Sequence, residues 1–281
     1  MRSIQSELVK DKVKELFIEA NYVIEDEVLN ELKKAYKNEE NERAKFVLKT
    51  IIENDELAID ERMPICQDTG MSVVFVEIGE EVKISGDTLE KTINKGVRDA
   101  YNEGYLRKSV VDDPLFKRIN TNDNTPAVVH IEIVKGDKIK LTVVPKGFGS
   151  ENMSAIKMMK PADGVNGVKK FVLETVKQAG SNPCPPIIIG IGIGGTFEKA
   201  ALISKKALTR NIKSNNSNKD YKKLEEELLE EVNMLDIGPA GLGGKTTCLG
   251  VNIEYFPTHI ASLPVAVNIC CHAYRHKKTI I

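Results

Sequence analysis

The sequence has no tryptophan and only eight arginines. Its charge is carried mainly by lysine and glutamate, a bias found in proteins of hot environments. It has no excess of either sign: 40 basic against 41 acidic side chains leave a formal charge of −1. No whole-molecule field therefore draws in nucleic acid or an anionic membrane, and an anionic ligand has to be met by locally placed groups. Long apolar runs are absent as well. Stretches such as Pro186 to Ile193 fall well short of the roughly 20 residues a membrane-spanning helix requires. The opening MRSIQSELVKDKVKEL is charged throughout and lacks a signal-peptide core, so a cytoplasmic protein is expected. Paired Cys-x2-Cys units are missing, which argues against structural zinc. Five scattered cysteines, an odd number, argue against a disulfide framework and for thiols, metal ligands or chemistry.

What is present suffices for a folded protein: 281 residues, of which 41% are hydrophobic, can furnish a core. Apolar residues recur at three and four spacings from Ser3 to about Asn54 (Leu8, Val13, Leu16, Phe17; Val28, Leu29, Leu32, Ala35; Phe46, Val47, Ile51), which predicts two or three amphipathic helices. After Pro64 the texture changes. Ser72–Ile78 alternates like a strand, and Gly86–Tyr105 reads as a helix ending near Gly104. Ala127–Val134 and Lys138–Val144 read as strands joined in a hairpin by Lys135-Gly136-Asp137. Helices are expected at Pro161–Ala179, Thr196–Leu208 and Tyr221–Leu235, and strands at Ile187–Ile193, Thr247–Tyr255 and Leu263–Ile269. Asn211–Lys219 reads as a polar loop. With no internal repeat and no flexible linker, the expectation is one α+β domain over 1–281: an N-terminal helical region (1–58), then an α/β region (59–281) with one mixed β-sheet flanked by helices.

Three segments concentrate chemistry. Pro64-Ile65-Cys66-Gln67-Asp68-Thr69-Gly70 places a thiol, an amide, a carboxylate and a hydroxyl in a turn before a strand. Loops on a scaffold commonly present functional groups, although a buried cysteine followed by turn formers fits the same residues. Asn182-Pro183-Cys184-Pro185-Pro186 fixes the backbone around one thiol. This suits a preset ligand, and Cys-Pro occurs in ferredoxin-type cluster sites; a rigid strand entry with an incidental thiol fits equally. Cys270-Cys271-His272 ends a strand, and vicinal cysteines bridge poorly, so one is a ligand or both are buried. These sites lie far apart in sequence, and only tertiary structure can bring them together.

Taken together and in order, Ile-Cys-Gln-Asp-Thr-Gly, Asn-Glu-Gly-Tyr-Leu-Arg-Lys-Ser around Arg107, Pro-Lys-Gly-Phe-Gly-Ser-Glu-Asn from Pro145, Asn-Pro-Cys-Pro-Pro, Pro-Thr-His-Ile at His259 and Leu-Pro-Val-Ala-Val-Asn-Ile-Cys-Cys-His resemble the α subunit of class I fumarate hydratase. The α subunit of L-tartrate dehydratase is similar. The resemblance runs from about residue 3 to the C-terminus. It implies a 4Fe-4S cluster held by Cys66, Cys184 and Cys271, with one iron left open as a Lewis acid; a fourth ligand would favour electron transfer. It leaves the choice within Cys270-Cys271 less secure and gives Cys248 no ligand motif. It also implies that Gln67, Asp68, Arg107, Gly149 and His259 contact a small dicarboxylate, Arg107 through its bidentate fork and Gly149 through close backbone approach. Asp68 and His259 are implied as partners in proton transfer, and Lys146 as a neighbour. Outside that ordered set, Arg107 would read as a solvated charge and His259 as structural.

The reaction implied is reversible hydration of fumarate to L-malate, with L-tartrate dehydration as the alternative. The threonine base and further Arg and Lys contacts are implied to lie on a separate β subunit, in an α2β2 assembly. Gly190-Ile191-Gly192-Ile193-Gly194-Gly195 satisfies G-x-G-x-x-G and raises a different class, a nucleotide-binding module, but the acidic residue expected about 20 positions on is missing. Gly238–Thr246 ends like a phosphate loop, yet Pro239 stands where its first glycine is required. Both segments are read instead as tight turns near the active site or a subunit contact.

Overall fold

A computed structural model describes every residue from Met1 to Ile281. In chain order the elements are β1 (Arg2–Gln5), α1 (Ser6–Tyr22), α2 (Asp26–Asn38), α3 (Glu42–Asp60), β2 (Met71–Gly79), β3 (Val82–Ser85), α4 (Leu89–Glu103), β4 (Val128–Val134), β5 (Ile139–Lys146), α5 (Phe148–Glu151), β6 (Ala155–Met159), α6 (Gly164–Ala179), β7 (Ile187–Gly194), α7 (Phe197–Ala207), α8 (Lys219–Asn233), β8 (Cys248–Phe256), β9 (Leu263–Cys270) and β10 (Lys277–Ile280). The class is α+β, with mixed sheets flanked by helices and three helices ahead of the first long strand. No helix is long and apolar enough to cross a membrane.

The chain forms two compact units. The first comprises Met1–Ile24, Leu57–Phe148 and Arg275–Ile281, and the second Glu25–Glu56 and Gly149–Tyr274. In the first unit a four-stranded sheet runs β10-β5-β2-β4, and β1 pairs with β3 in a separate parallel ribbon. The apolar stripe of α1 (Val9, Val13, Phe17, Ala20) and that of α4 (Ile93, Val97, Ala100, Tyr101) pack with Val74, Val76, Leu141 and Val143 in one core. A side chain at Gly96 would meet the Lys10 carbonyl at 2.6 Å, so this glycine sets how closely α1 and α4 approach.

Two expectations need correction here. The strands do not join one sheet; they divide among three. Nor do β4 and β5 form a hairpin: β2 lies between them, parallel to β4 and antiparallel to β5. The reason is burial. Residues 72–76 of β2 are covered on both faces, which suits a central strand, whereas β4 is largely exposed. The Lys135–Asp137 turn instead caps β2, with Gly79 N donating to Lys138 O at 2.8 Å and Glu81 N to Gly136 O at 3.0 Å.

In the second unit the sheet order is β6-β9-β7-β8. β7 is covered along its whole length. Ile187, Ile189, Ile191 and Ile193 share a core with Val168, Val172 and Val176 of α6 and Leu224, Leu228 and Val232 of α8. On the opposite face, side chains at Gly190 and Gly192 would strike the Ser204 and Ala200 carbonyls of α7 at 2.2 and 2.1 Å. Gly190 and Gly192 are therefore not part of a turn, as read from sequence, but bare strand positions on which α7 lies. Only Gly194 and Gly195, with φ of +92° and +71°, make the turn that follows.

A methyl group at Gly192 can be accommodated only by moving α7. Gly192→Ala is expected to lower stability by about 1–3 kcal/mol, seen as a reduced urea midpoint at unchanged slope.

Candidate functional site

The candidate residues fall into two groups, one on each unit. On the first unit, Cys66, Gln67 and Asp68 lie in the loop between α3 and β2, where Gln67 is exposed and Cys66 and Asp68 are half-buried. Buried polar groups hold this loop. Ile65 N donates to Asn21 O at 2.9 Å. The Tyr101 hydroxyl lies 2.8 Å from both the Thr69 and Gly70 carbonyls, sharing its proton between them, and Asn124 Nδ2 donates to Gly70 O at 3.2 Å. Burial pushes the Tyr101 phenol up to about 12, so it remains a donor at all ordinary pH values. Gly70 has φ +79°, and a side chain there would strike the Lys146 backbone at 2.7 Å; the close approach admits no other residue.

Asp68 joins this loop to the next. Oδ1 accepts from Gly70 N at 3.0 Å and Oδ2 from Phe148 N at 2.9 Å. Thr69 Oγ1 donates to the Arg107 carbonyl at 3.1 Å, which ties the exposed Arg107 segment to the same turn. Lys146 is buried at the end of β5, its Nζ donating to Gly147 O at 3.2 Å. The structure thus brings together Cys66, Gln67, Asp68, Arg107 and Lys146.

It adds a residue that no motif marked. Arg275 is 3% exposed, donates from Nη1 to Asn21 Oδ1 at 3.0 Å and leaves Nε without an acceptor. A side chain at Gly147 would crowd both Arg275 Nη2 and Asp68 Oδ2 at 3.2 Å. A buried guanidinium with one neutral partner is costly and puts fixed positive charge beside the loop carrying Asp68.

On the second unit, Cys184 is exposed and has φ +54°, a left-handed conformation that costs a non-glycine residue roughly 1–2 kcal/mol. Its flanks hold it there: Cys184 N donates to Ser181 O at 3.1 Å, His272 N approaches Cys184 O at 3.5 Å, and Ala240 N donates to Pro185 O at 2.9 Å. The Gly238–Gly244 segment is a turn, as expected, and it packs on the Cys184 loop, with a side chain at Gly241 blocked by Ser181 at 2.4 Å. Gly149 lies beside the same loop, with Asn182 O 3.8 Å from where its side chain would begin. Cys184, Gly149 and Cys271-His272 are therefore neighbours. His259 sits on an exposed turn after β8, its Nδ1 accepts from Ala261 N at 3.2 Å, and it lines an open cavity of about 410 Å³ with Thr196, Lys199, Phe256 and Thr258, a lining that includes neither Cys184 nor Cys271.

No disulfide joins the five cysteines, and their burial sorts them: Cys248 and Cys270 are buried within strands, whereas Cys184 is exposed and Cys66 and Cys271 are half-buried in loops. Burial pushes the Cys248 thiol up to about 12, which disfavours the thiolate a metal needs. Cys270 is a strand residue paired with Ile188, whereas Cys271 lies just beyond the strand. No three His, Cys, Asp and Glu side chains gather closely enough to hold a single metal ion. A multi-iron cluster makes a different demand, one thiolate per iron. Accessible loop thiols are donors of the type such a cluster takes.

A family model described as fumarate hydratase (Fumerase) matches residues 10–280. The chain belongs to that family. A putative L(+)-tartrate dehydratase subunit alpha of Methanocaldococcus jannaschii is 45% identical over 272 residues, covering 95% of each chain. The L(+)-tartrate dehydratase subunits alpha of Escherichia coli K12 and Shigella sonnei are each 35% identical over 254 residues, covering 89% of this chain and 83% of theirs. Membership in the Fumerase family makes the chain one of a group of hydro-lyases.

Tyr101, Asn21, Asn124 and Arg275 escaped sequence reading because helix periodicity accounts for the first two and nothing local distinguishes the others. Asp55 escaped it too. It is fully buried on α3, and burial pushes its carboxyl up to about 7; nearby Cys271 and Glu56 add to the rise and the Asn54 side chain opposes it. Because this value lies above the ordinary 3.8, the folded chain holds a proton that the unfolded chain releases. Stability is lost as pH rises from about 4 through about 7, by about 4 kcal/mol in total. In the metal-free chain, Asp55→Asn is expected to flatten that part of the stability–pH curve and to raise the denaturation midpoint above pH 7. Tyr101→Phe, which removes the shared donor, is expected to cost about 1–3 kcal/mol by the same measurement.

Proposed function

We propose that this chain is the α subunit of an iron–sulfur hydro-lyase that reversibly hydrates fumarate to L-malate and needs a separate β subunit. What carries the proposal, within a family of hydro-lyases, is the sorting of its thiols: Cys66, Cys184 and Cys271 are accessible while Cys248 and Cys270 are buried. These three residues would hold a 4Fe-4S cluster, which would supply Lewis-acid chemistry toward the substrate when bound.

The chain's own residues do the rest. Arg107 offers a bidentate fork to a substrate carboxylate, Gln67 adds an amide beside it, and Gly149 lets the backbone approach. Asp68, fixed by two backbone donors, keeps further lone pairs on each oxygen with which to accept a proton. Since Nδ1 of His259 accepts a backbone N–H, its neutral ring carries its proton on Nε2 and can donate there. The remaining catalytic groups come from the β subunit, in a cytoplasmic α2β2 enzyme. The names of the relatives favour a second reading, in which the substrate is L(+)-tartrate and one more hydroxyl must be accommodated.

The test is anaerobic reconstitution of the chain with iron and sulfide, with and without its β subunit, followed by turnover on fumarate, L-malate and L(+)-tartrate. The complex is expected to turn over fumarate and L-malate fastest, and the chain alone neither. Ser at Cys66, Cys184 or Cys271 should abolish turnover and lower iron content, while Cys248→Ser and Cys270→Ser leave both in place. Arg107→Met should lower kcat/KM roughly a hundredfold. Full activity without a partner, or undiminished iron in the three single variants, would refute the proposal, and preference for tartrate would select the second reading.

A further inference from the structure

β4 pairs only with β2, in unbroken parallel register from Val128 opposite Val73 to Val134 opposite Gly79. Its other edge carries no strand. Val129, Ile131 and Ile133 share the face of Val74, Val76 and Ile78, which is the core side of the sheet. Yet the helices do not reach across it, and Ile131 and Ile133 remain 53% and 75% exposed. On the opposite face Val128 is 39% exposed, and the His130 ring stacks on Phe75 with centroids 5.2 Å apart.

Edge strands are ordinarily blunted by charged side chains, lysine above all, or by proline, a bulge or short length. The seven residues of β4, VVHIEIV, carry one charge, Glu132, and none of the other devices. A regular apolar edge of this kind is a template for another strand, and its sequence specifies which one. For two copies to keep their core-side faces on the same side of a continuous sheet, odd residues must pair with odd in an antiparallel two-fold. Centred on Ile131, that pairing sets Ile131 against its own copy, Val129 against Ile133 and Val128 against Val134. It also sets His130 against Glu132, twice by symmetry. Every apolar residue then meets an apolar one, and the single acid meets the single imidazole. Centring on any neighbouring residue breaks the match: about His130, Glu132 faces Val128 and the two imidazoles meet; about Glu132, the two carboxylates meet and His130 faces Val134; about Val129, His130 faces Val128; and about Ile133, Glu132 faces Val134.

We infer that β4 is a dimerisation edge, through which a second copy of this chain extends the first unit's sheet in antiparallel register about Ile131. The pairing does not depend on the substrate or on a bound cluster.

The test measures the mass of the full-length chain by sedimentation, alone and in complex with its β subunit, with circular dichroism confirming the fold of each variant. The wild-type chain should carry two copies in both cases. Ile131→Lys, which brings two lysines together at the two-fold, should halve the mass. His130→Glu, which sets Glu against Glu132 of the second copy, should raise the dimer dissociation constant on the order of tenfold to a hundredfold. The double swap His130→Glu with Glu132→Lys should restore it. A wild-type chain that is monomeric alone and single-copy in the complex would overturn the inference, as would dimers indifferent to Ile131→Lys. Failure of the double swap to rescue would overturn the register, and β4 variants that lose only the β subunit would assign the edge to that partner instead.

Discussion

The carbonyls of Thr69 and Gly70 turn inward, toward a core that can offer them no water. A buried carbonyl without a donor costs about as much as a lost hydrogen bond, so the loop bearing Cys66, Gln67 and Asp68 holds its shape only because α4 delivers a phenol to that place. Tyr101 meets both carbonyls and Asn124 meets one of them again. Asp68 then fastens the loop to Phe148 N, and Thr69 fastens it to the Arg107 carbonyl. The exposed chemistry of the first unit therefore rests on a buried phenol that shares a core with Phe17, Val97 and Leu141. Rigidity at the surface is inherited from packing beneath it, as positioned functional groups require.

The second unit reaches a similar end by a different route. Its thiol loop is held by backbone geometry more than by side chains: three prolines, a left-handed Cys184, and a glycine turn laid against Ser181 and Pro185. Strain at such a residue persists only where its surroundings over-determine it, and the prolines and the Gly241 contact do so here.

Much of this was legible in the linear order of residues, because periodicity is a local property. The stripes Val9–Val13–Phe17 and Val168–Val172–Val176 announce helices, and the unbroken apolar run at Ile187 announces a buried strand. Pairing is not local. The Lys135-Gly136-Asp137 turn looks like a hairpin because nothing nearby reveals that β2, over fifty residues earlier, takes the place between β4 and β5. Gly190 and Gly192 look like a phosphate turn because their true cause, contact with Ser204 and Ala200 of α7, lies on the next element. The same holds at the candidate site. Cys66, Asp68, Arg107 and Cys184 stand out through the company they keep in sequence. Arg275 and Asp55 are ordinary charges until burial makes them unusual.

The first unit is assembled from three separated stretches, and its last piece, Arg275–Ile281, supplies the strand that closes one margin of the sheet through Lys277–Ile280 against β5. Arg2 Nη1 reaches the Ile281 carbonyl at 3.1 Å, so the beginning of the sequence is bolted to its end. A ribosome making this polypeptide would therefore release an unfinished first unit throughout synthesis of the whole second one. Its Lys140–Val143 stretch would stay bare until Lys277–Ile280 emerged. Loss of those four residues would be felt at α1, which packs on both β5 and β10.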